Sequence, residues 1–197
     1  MDKHVFFDLD ETLFSTGRVV HADAEIFPHN PIIDKLGTDM FFVSYLRPGA
    51  KKLIDAVCAV VPKENIHVVT AASPDYAEYF INAHKLGFHP SRVYHDRHLK
   101  GKTKAEKLQF VADAVPRAYL LDNLPRHELG NKLSFLHRCL GFPIDQLYTY
   151  KIHDYYGPAR DNAENGGISD AEIEDIVAFI KGMTPSEPRG IPYSPWG

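Results

Sequence analysis

The stretch Phe7-Asp8-Leu9-Asp10-Glu11-Thr12 sets two carboxylates two positions apart where a short apolar run ends. Both can face one pocket only if the chain turns sharply there. Such a pair can divide labour. A carboxylate is a poor nucleophile in water, but against a phosphoryl group neutralised by Mg²⁺ it can form an aspartyl phosphate. The second carboxylate then protonates the leaving oxygen and later deprotonates the attacking water. Asp8 as nucleophile and Asp10 as acid/base group is the chemistry this spacing suggests. An isolated pair of this kind could also simply start a turn.

Positioning these groups requires elements that end at one edge. His4 to Phe7 leads to Asp8, Asn65 to Val69 leads to Thr70, and Ala118 to Leu121 leads to Asp122. Each is a short apolar run ending at a polar residue, as a buried parallel strand does. Between them lie helical patterns. One covers roughly 49 to 60 with Leu53, Val57 and Val60 on one face, and one covers 74 to 86, opened by Ser73-Pro74 and closed by Gly87. Thr103 to Glu106 reads as a capping box before a third helix carrying Leu108, Val111 and Val115, with Pro116 as its stop. This alternation predicts an α/β fold with a mainly parallel sheet whose right-handed crossovers gather Asp8, Thr70 and Asp122 along one edge.

Other segments fit the rhythm less well. Residues 15 to 46 hold Gly17, Pro28, Asn30, Pro31 and Gly37 and read as a hairpin or irregular flap, returning as a strand near Phe41 to Tyr45. Asp161 to Gly167 reads as a loop. Ser169 with Glu172 caps a helix over 168 to 182 with Ile173, Ile176, Val177 and Ile180 on one stripe. We expect one domain over residues 1–182 and an extended or disordered tail over 183–197.

Composition narrows the function classes. With 197 residues, 44% hydrophobic and 24% charged, and a formal charge of −4, the chain has ordinary globular composition and no signature of a dedicated nucleic-acid binder. Cys58 and Cys139 lie in apolar, helix-like stretches, which supports neither disulfides nor a thiolate metal site and suggests a reducing, cytoplasmic setting. Met1 runs through Asp2 and Lys3 into the first apolar run, so neither a signal peptide nor a membrane span is expected there. The 11 histidines, His95 with His98 included, read as surface or structural residues because no zinc-binding context accompanies them.

Asp8-x-Asp10-x-Thr12 after an apolar strand resembles the first motif of the haloacid dehalogenase (HAD) superfamily of phosphohydrolases, and three more elements follow in order. Val68-Val69-Thr70 looks like the second motif, whose hydroxyl and following amides, here from Ala71, hold phosphate. Lys100-Gly-Lys102-Thr-Lys104 should supply the third, a catalytic lysine. Lys104 is preferred because Thr103 would cap a helix and leave Lys104 in its first turn, and Lys102 is second. Leu120-Leu121-Asp122-Asn123 looks like the fourth. Within the superfamily the particular likeness, over roughly 4 to 155, is to the RNA polymerase II C-terminal-domain phosphatases, including the NLI-interacting-factor-like ones. It rests on Asp8 to Leu13, Leu46-Arg47-Pro48-Gly49, Thr70-Ala-Ala-Ser73 with Tyr76-Ala77, and Asp122-Asn123 with Pro125.

The resemblance implies a Rossmann-like, three-layer α/β/α domain and a Mg²⁺ site made by Asp8, Asp10 through its carbonyl, Asp122 and Asn123. Thr12, Thr70, Ala71 and Lys102 would contact substrate phosphate. The interval between Thr70 and Lys104 is too short for a large cap, so the site should be open and the 15–46 flap its main specificity element. Openness suits a phosphoprotein bearing phosphoserine, phosphothreonine or phosphotyrosine. A small-molecule, nucleotide or polynucleotide 3′-phosphate is the alternative substrate, and a non-catalytic phosphate-binding module is the alternative from another class.

Overall fold

The computed structural model describes residues 2–20, 31–155 and 166–182, and the backbone of 190–192. Its central sheet has the order β6-β5-β1-β7-β8-β9, with strands β1 (Asp2–Phe7), β5 (Ile66–Val69), β6 (Val93–Tyr94), β7 (Pro116–Asp122), β8 (Leu147–Lys151) and β9 (Gly190–Pro192). β1 pairs in parallel with both β5 and β7, which puts Phe7 beside Val68 and Leu121. Asp8, Thr70 and Asp122 therefore leave the sheet at the same edge, as their apolar runs predict. Among the described strands of this sheet only β9 is antiparallel, against β8. The remainder of 183–197 lies outside the described residues, as do 161–165 of the expected loop and 21–30 of the flap.

Alternation along the strands fills a core on each face. Val5, Phe7, Tyr119 and Leu121 pack against α1 (Ala50–Cys58), α2 (Pro74–Ala83) and α5 (Asp170–Lys181), while Phe6, Ala118 and Leu120 pack against α4 (Gly130–Phe135) and the π-helical turn Leu136–Leu140. The result is a three-layer α/β/α, Rossmann-like domain. Ser169 caps α5 as its spacing predicts, its hydroxyl accepting from the Glu172 amide at 3.1 Å. Ile173, Ile176 and Ile180 point inward.

The flap is a second, antiparallel sheet, β2 (Phe14–Val19), β4 (Phe41–Leu46) and β3 (Ile32–Asp34), with β4 in the middle. No large cap stands over the sheet edge among the described residues.

One expected element is absent. Residues 103–115 form no helix, and α3 (Asp96–Leu99) is a single turn just before them. The segment runs instead across the face of the sheet, with Leu108 and Phe110 partly buried. Its amides find partners elsewhere: Leu108 donates to the Leu140 carbonyl at 3.3 Å and Val111 to the Asp2 carboxylate at 3.0 Å. Val111 and Val115 are exposed, so of the stripe that suggested a helix only Leu108 packs against the core.

Candidate active site

The chain reverses immediately after β1. The Leu9 carbonyl accepts from the amides of Thr12, Leu13 and Phe14, and Glu11 takes left-handed backbone with φ of 59°. Leu9 and Leu13 are buried, which anchors the turn and leaves Asp8 and Asp10 on its rim. The sharp turn that two useful carboxylates need is thus built from three amides converging on one carbonyl.

Asp8 and Asp122 are buried side by side, with Lys132 between them. The Lys132 ammonium donates to Asp8 Oδ1 at 2.6 Å and to Asp122 Oδ2 at 2.7 Å. Burial drives the Asp8 carboxyl above its ordinary range, against the pull of Lys132 and with the Asp122 charge adding to it. Burial works against the Lys132 charge, but the two carboxylates win and hold it above its usual value. Two buried anions beside one buried cation leave a negative excess, as a cation-binding site requires.

Thr12 is fully buried beneath this pair. Its hydroxyl accepts from the Asn123 amide at 3.0 Å, and its proton is shared between Asp8 Oδ2 at 3.3 Å and Asn123 Oδ1 at 3.2 Å. The Asn123 side-chain nitrogen donates to Glu11 and Asp154, which leaves its oxygen facing the Thr12 hydroxyl. Asp122 Oδ1 accepts from the Leu124 amide at 3.0 Å.

Asp10 is held from the other side, by the Tyr76 phenol donating to its Oδ1. Burial raises the Asp10 carboxyl while the Tyr76 hydrogen bond opposes that. Tyr76 sits in the first turn of α2, which follows Thr70 directly. Thr70 is buried and its hydroxyl accepts from the Ala72 amide at 3.1 Å. Ala71 and Asp10 line a common cavity of about 510 Å³, closed on the flap side by Thr16, Arg18, Leu36, Thr38 and Phe42.

Arg47 staples the floor. It is almost wholly buried, and its guanidinium donates to the carbonyls of Thr12, His153 and Gly166. Three separate segments are thereby fixed beneath the Asp8 turn.

The structure brings together Asp8, Asp10, Thr12, Thr70, Ala71, Asp122 and Asn123, but neither Lys104 nor Lys102. Both lysines are exposed, and Lys104 lines a surface hollow with Thr103, Lys107 and Arg138. The expectation failed with the helix it depended on: without a helix at 103, nothing aims Lys104 at the sheet edge. Lys132 takes the position instead, and it follows Asp122 in the chain where the motif order would have it precede. One local signal pointed to it. Leu129, Leu133, Leu136 and Leu140 form an inward helical stripe, and Lys132 is a charge on its flank.

The donor set fits a hard cation. Among the described residues no three His, Cys, Asp or Glu side chains converge as ligands. Mg²⁺, however, commonly takes one or two carboxylates and fills its remaining positions with other oxygens. Asp8, Asp122, the Asn123 amide oxygen and the Asp10 carbonyl are such a set, all of them oxygen donors.

Residues 3–137 match the NLI interacting factor-like phosphatase family. Among solved structures, a beryllium fluoride-bound variant of the fission yeast RNA polymerase II CTD phosphatase Fcp1 is similar at 12% identity and a TM-score of 0.43, covering 91% of this chain and 50% of that one. Another structure of Fcp1, an essential RNA polymerase II CTD phosphatase, is similar at 10% identity and a TM-score of 0.47, covering 90% and 48%. The chain thus spans about half the length of these solved relatives. No curated protein matches it.

Proposed function

The chain belongs to the NLI interacting factor-like phosphatase family, and from that membership we propose that it is a Mg²⁺-dependent phosphatase that works through an aspartyl phosphate on Asp8 and acts on phosphoproteins. The observation that carries this reading is the Lys132 ammonium bridging two buried carboxylates, Asp8 and Asp122, at 2.6 and 2.7 Å beside a separately held Asp10.

An Asp8 carboxylate oxygen attacks phosphorus as the bond to the leaving oxygen breaks, and protonated Asp10 gives its proton to that oxygen. Asp10 then takes a proton from the water that attacks the aspartyl phosphate, releasing inorganic phosphate and restoring Asp8. Lys132 fixes the attacking carboxylate and offsets charge that develops on the phosphoryl oxygens. Thr12 positions Asp8 and Asn123, while Thr70 and the Ala71 amide receive phosphate. Mg²⁺, held by Asp8, Asp122, Asn123 and the Asp10 carbonyl, would supply Lewis-acid neutralisation of the phosphoryl group.

The open cavity beside Asp10 supports a phosphorylated side chain presented on a polypeptide. No helix among the described residues is long and apolar enough to cross a membrane.

The test is single-turnover hydrolysis of a phosphoserine peptide and an aryl phosphate with Mg²⁺, before and after exhaustive chelation, with acid-quenched detection of phosphate on Asp8. Full turnover after chelation would remove the metal from the mechanism. Turnover without label on Asp8 would remove the covalent step, and a marked preference for small phosphate esters over the peptide would move the substrate class.

A further inference from the structure

The face of the flap that closes the cavity beside Asp10 carries a cation that takes no part in the steps above. Side chains alternate along β2, so Thr16 and Arg18 face the cavity while Val19 turns the other way, toward Val43, Tyr45 and Tyr155. That second face has its own small core, and a slip of one residue would bury Arg18 in it. Arg18 and Phe42 are direct cross-strand partners, and Arg18 Cζ lies 5.1 Å from the Phe42 ring centroid. Phe42 is itself buried, its ring edge-to-face with Tyr76 at 5.7 Å and with Phe80 at 6.4 Å. An aromatic face under a guanidinium fixes its plane and leaves the N–H groups at its edge free to grip an anion at two points.

Arg18 is exposed, and no ion pair among the described residues includes it. The other charged groups lining the cavity are Asp10 and Asp75, so Arg18 is the one cation among its described lining residues. It also stands off the reacting centre. Tyr76 donates to Asp10, Phe42 packs on Tyr76, and Arg18 stacks on Phe42, which puts two ring contacts between the guanidinium and the general acid. The reacting phosphoryl group has Lys132, Thr70 and the Ala71 amide for itself. An extended chain advances about 3.3–3.6 Å per residue, so an anion that meets Arg18 belongs to a residue within about three positions of the phosphorylated one.

We propose that Arg18 is a specificity residue that reads an anionic side chain, a carboxylate or a second phosphate, flanking the phosphorylated residue of the substrate. The inference rests on the phosphoprotein reading given above and narrows it to acidic or multiply phosphorylated sequences. It gives the flap a chemical task besides shaping the cavity, with β2 supplying the cation and β4 the ring that aims it. Because Asp8 and Asp10 have other partners, the contribution of Arg18 falls on KM.

The experiment has two arms. In the first, kcat and KM are measured for wild type, Arg18→Gln and Arg18→Glu on phosphoserine peptides of one sequence. These carry glutamate, a non-hydrolysable phosphonate, alanine or lysine at each position within three residues of the phosphoserine. At one of these positions wild type should show a KM about fivefold lower with glutamate or the phosphonate than with alanine, the size of a well-oriented exposed ion pair. The larger of the two gains identifies the anion. Arg18→Gln should bring the ratio to about one, and Arg18→Glu should invert it in favour of lysine. No acid preference in wild type at any position would overturn the proposal. So would an Arg18→Gln variant that keeps the preference or loses equally on the alanine peptide, since the guanidinium would then serve the reacting phosphate or the shape of the flap.

The second arm is independent of turnover. Fluorescent versions of the same peptides, with the phosphoserine replaced by its phosphonate, are titrated by anisotropy against wild type and Arg18→Gln. The acidic peptide should bind wild type about fivefold more tightly than the variant, and equal affinities or no binding to either would overturn the proposal. Absence of hydrolysis in wild type would overturn the phosphatase reading instead, while the titration still judges Arg18.

Discussion

At the scale of single residues, Lys132 decides whether Asp8 and Asp122 can be buried as neighbours. Removing one member of a buried charge cluster strands the rest. Lys132→Ala should therefore lower kcat on an aryl phosphate by about 10²–10³, the range for losing one fixed charge-stabilising donor, and should also lower unfolding free energy. Lys104→Ala and Lys102→Ala, on exposed side chains, should stay within about twofold, because nothing they touch takes part. Steady-state rates of the three variants check this. The two aspartates of the first turn should fail differently. Asp8→Asn should give no phosphoenzyme on any ester, whereas Asp10→Asn keeps the nucleophile and should slow an alkyl phosphate far more than an aryl phosphate. Equal proportional losses for Asp10→Asn on the two esters would argue against its acid role.

At the scale of elements, the site depends on how α1 enters against α5. Gly49, just before α1, has φ of 85°, and a Cβ there would lie 2.4 Å from the Ile168 carbonyl oxygen. That carbonyl cannot withdraw freely, because the Ile168 amide donates to Pro48 at 2.9 Å and fixes the same pair of segments. Gly49→Ala combines a backbone strain with a steric clash and should cost about 2 kcal/mol or more. Ser169→Ala loses only the cap of α5 and should cost about 1 kcal/mol. Urea unfolding of both variants orders the two effects. The neighbouring Arg47 staple makes the Gly49 variant informative for function too: if the α1 entry shifts, the floor under Thr12 shifts with it.

At the scale of the whole molecule, buried imidazoles on the sheet should make stability depend on pH. His67 packs on Phe6, and its Nε2 is 3.1 Å from His4 Nδ1, itself 3.3 Å by its other nitrogen from the Asp2 carboxylate. Burial pushes His67 down to about 3, with His4 and Arg92 adding to the shift. Its folded pKa lies below the unfolded value of about 6.5, so the unfolded chain binds more protons between those limits. The contribution is thus complete above about pH 6.5 and lost as pH falls, at a slope of up to about 1.4 kcal/mol per pH unit for one group. His67→Phe keeps the ring packing and removes the titration. Urea unfolding at pH 7, 6 and 5 should show a shallower loss for the variant than for wild type; parallel curves would place the acid sensitivity elsewhere.

Much of this molecule was legible in its sequence because the relevant physics is local. Apolar runs ending at Asp8, Thr70 and Asp122 could be read as buried parallel strands, and parallel strands deliver their ends to one edge. Ser169 and Glu172 announced α5, and the glycine- and proline-rich stretch after Phe14 announced the flap. Other features were decided only by contacts between distant segments. The pattern at 103–115 satisfies a helix locally, yet the Asp2 carboxylate and the Leu140 carbonyl claim its amides and Val111 and Val115 stay in water. The cation of the site was undecidable by order along the chain. Lysines 102, 104 and 132 are chemically equal until the fold lets one of them reach two buried carboxylates at once. That choice belongs to α4 packing behind β7, because a charge is held out of water only where the tertiary structure has already assembled its partners.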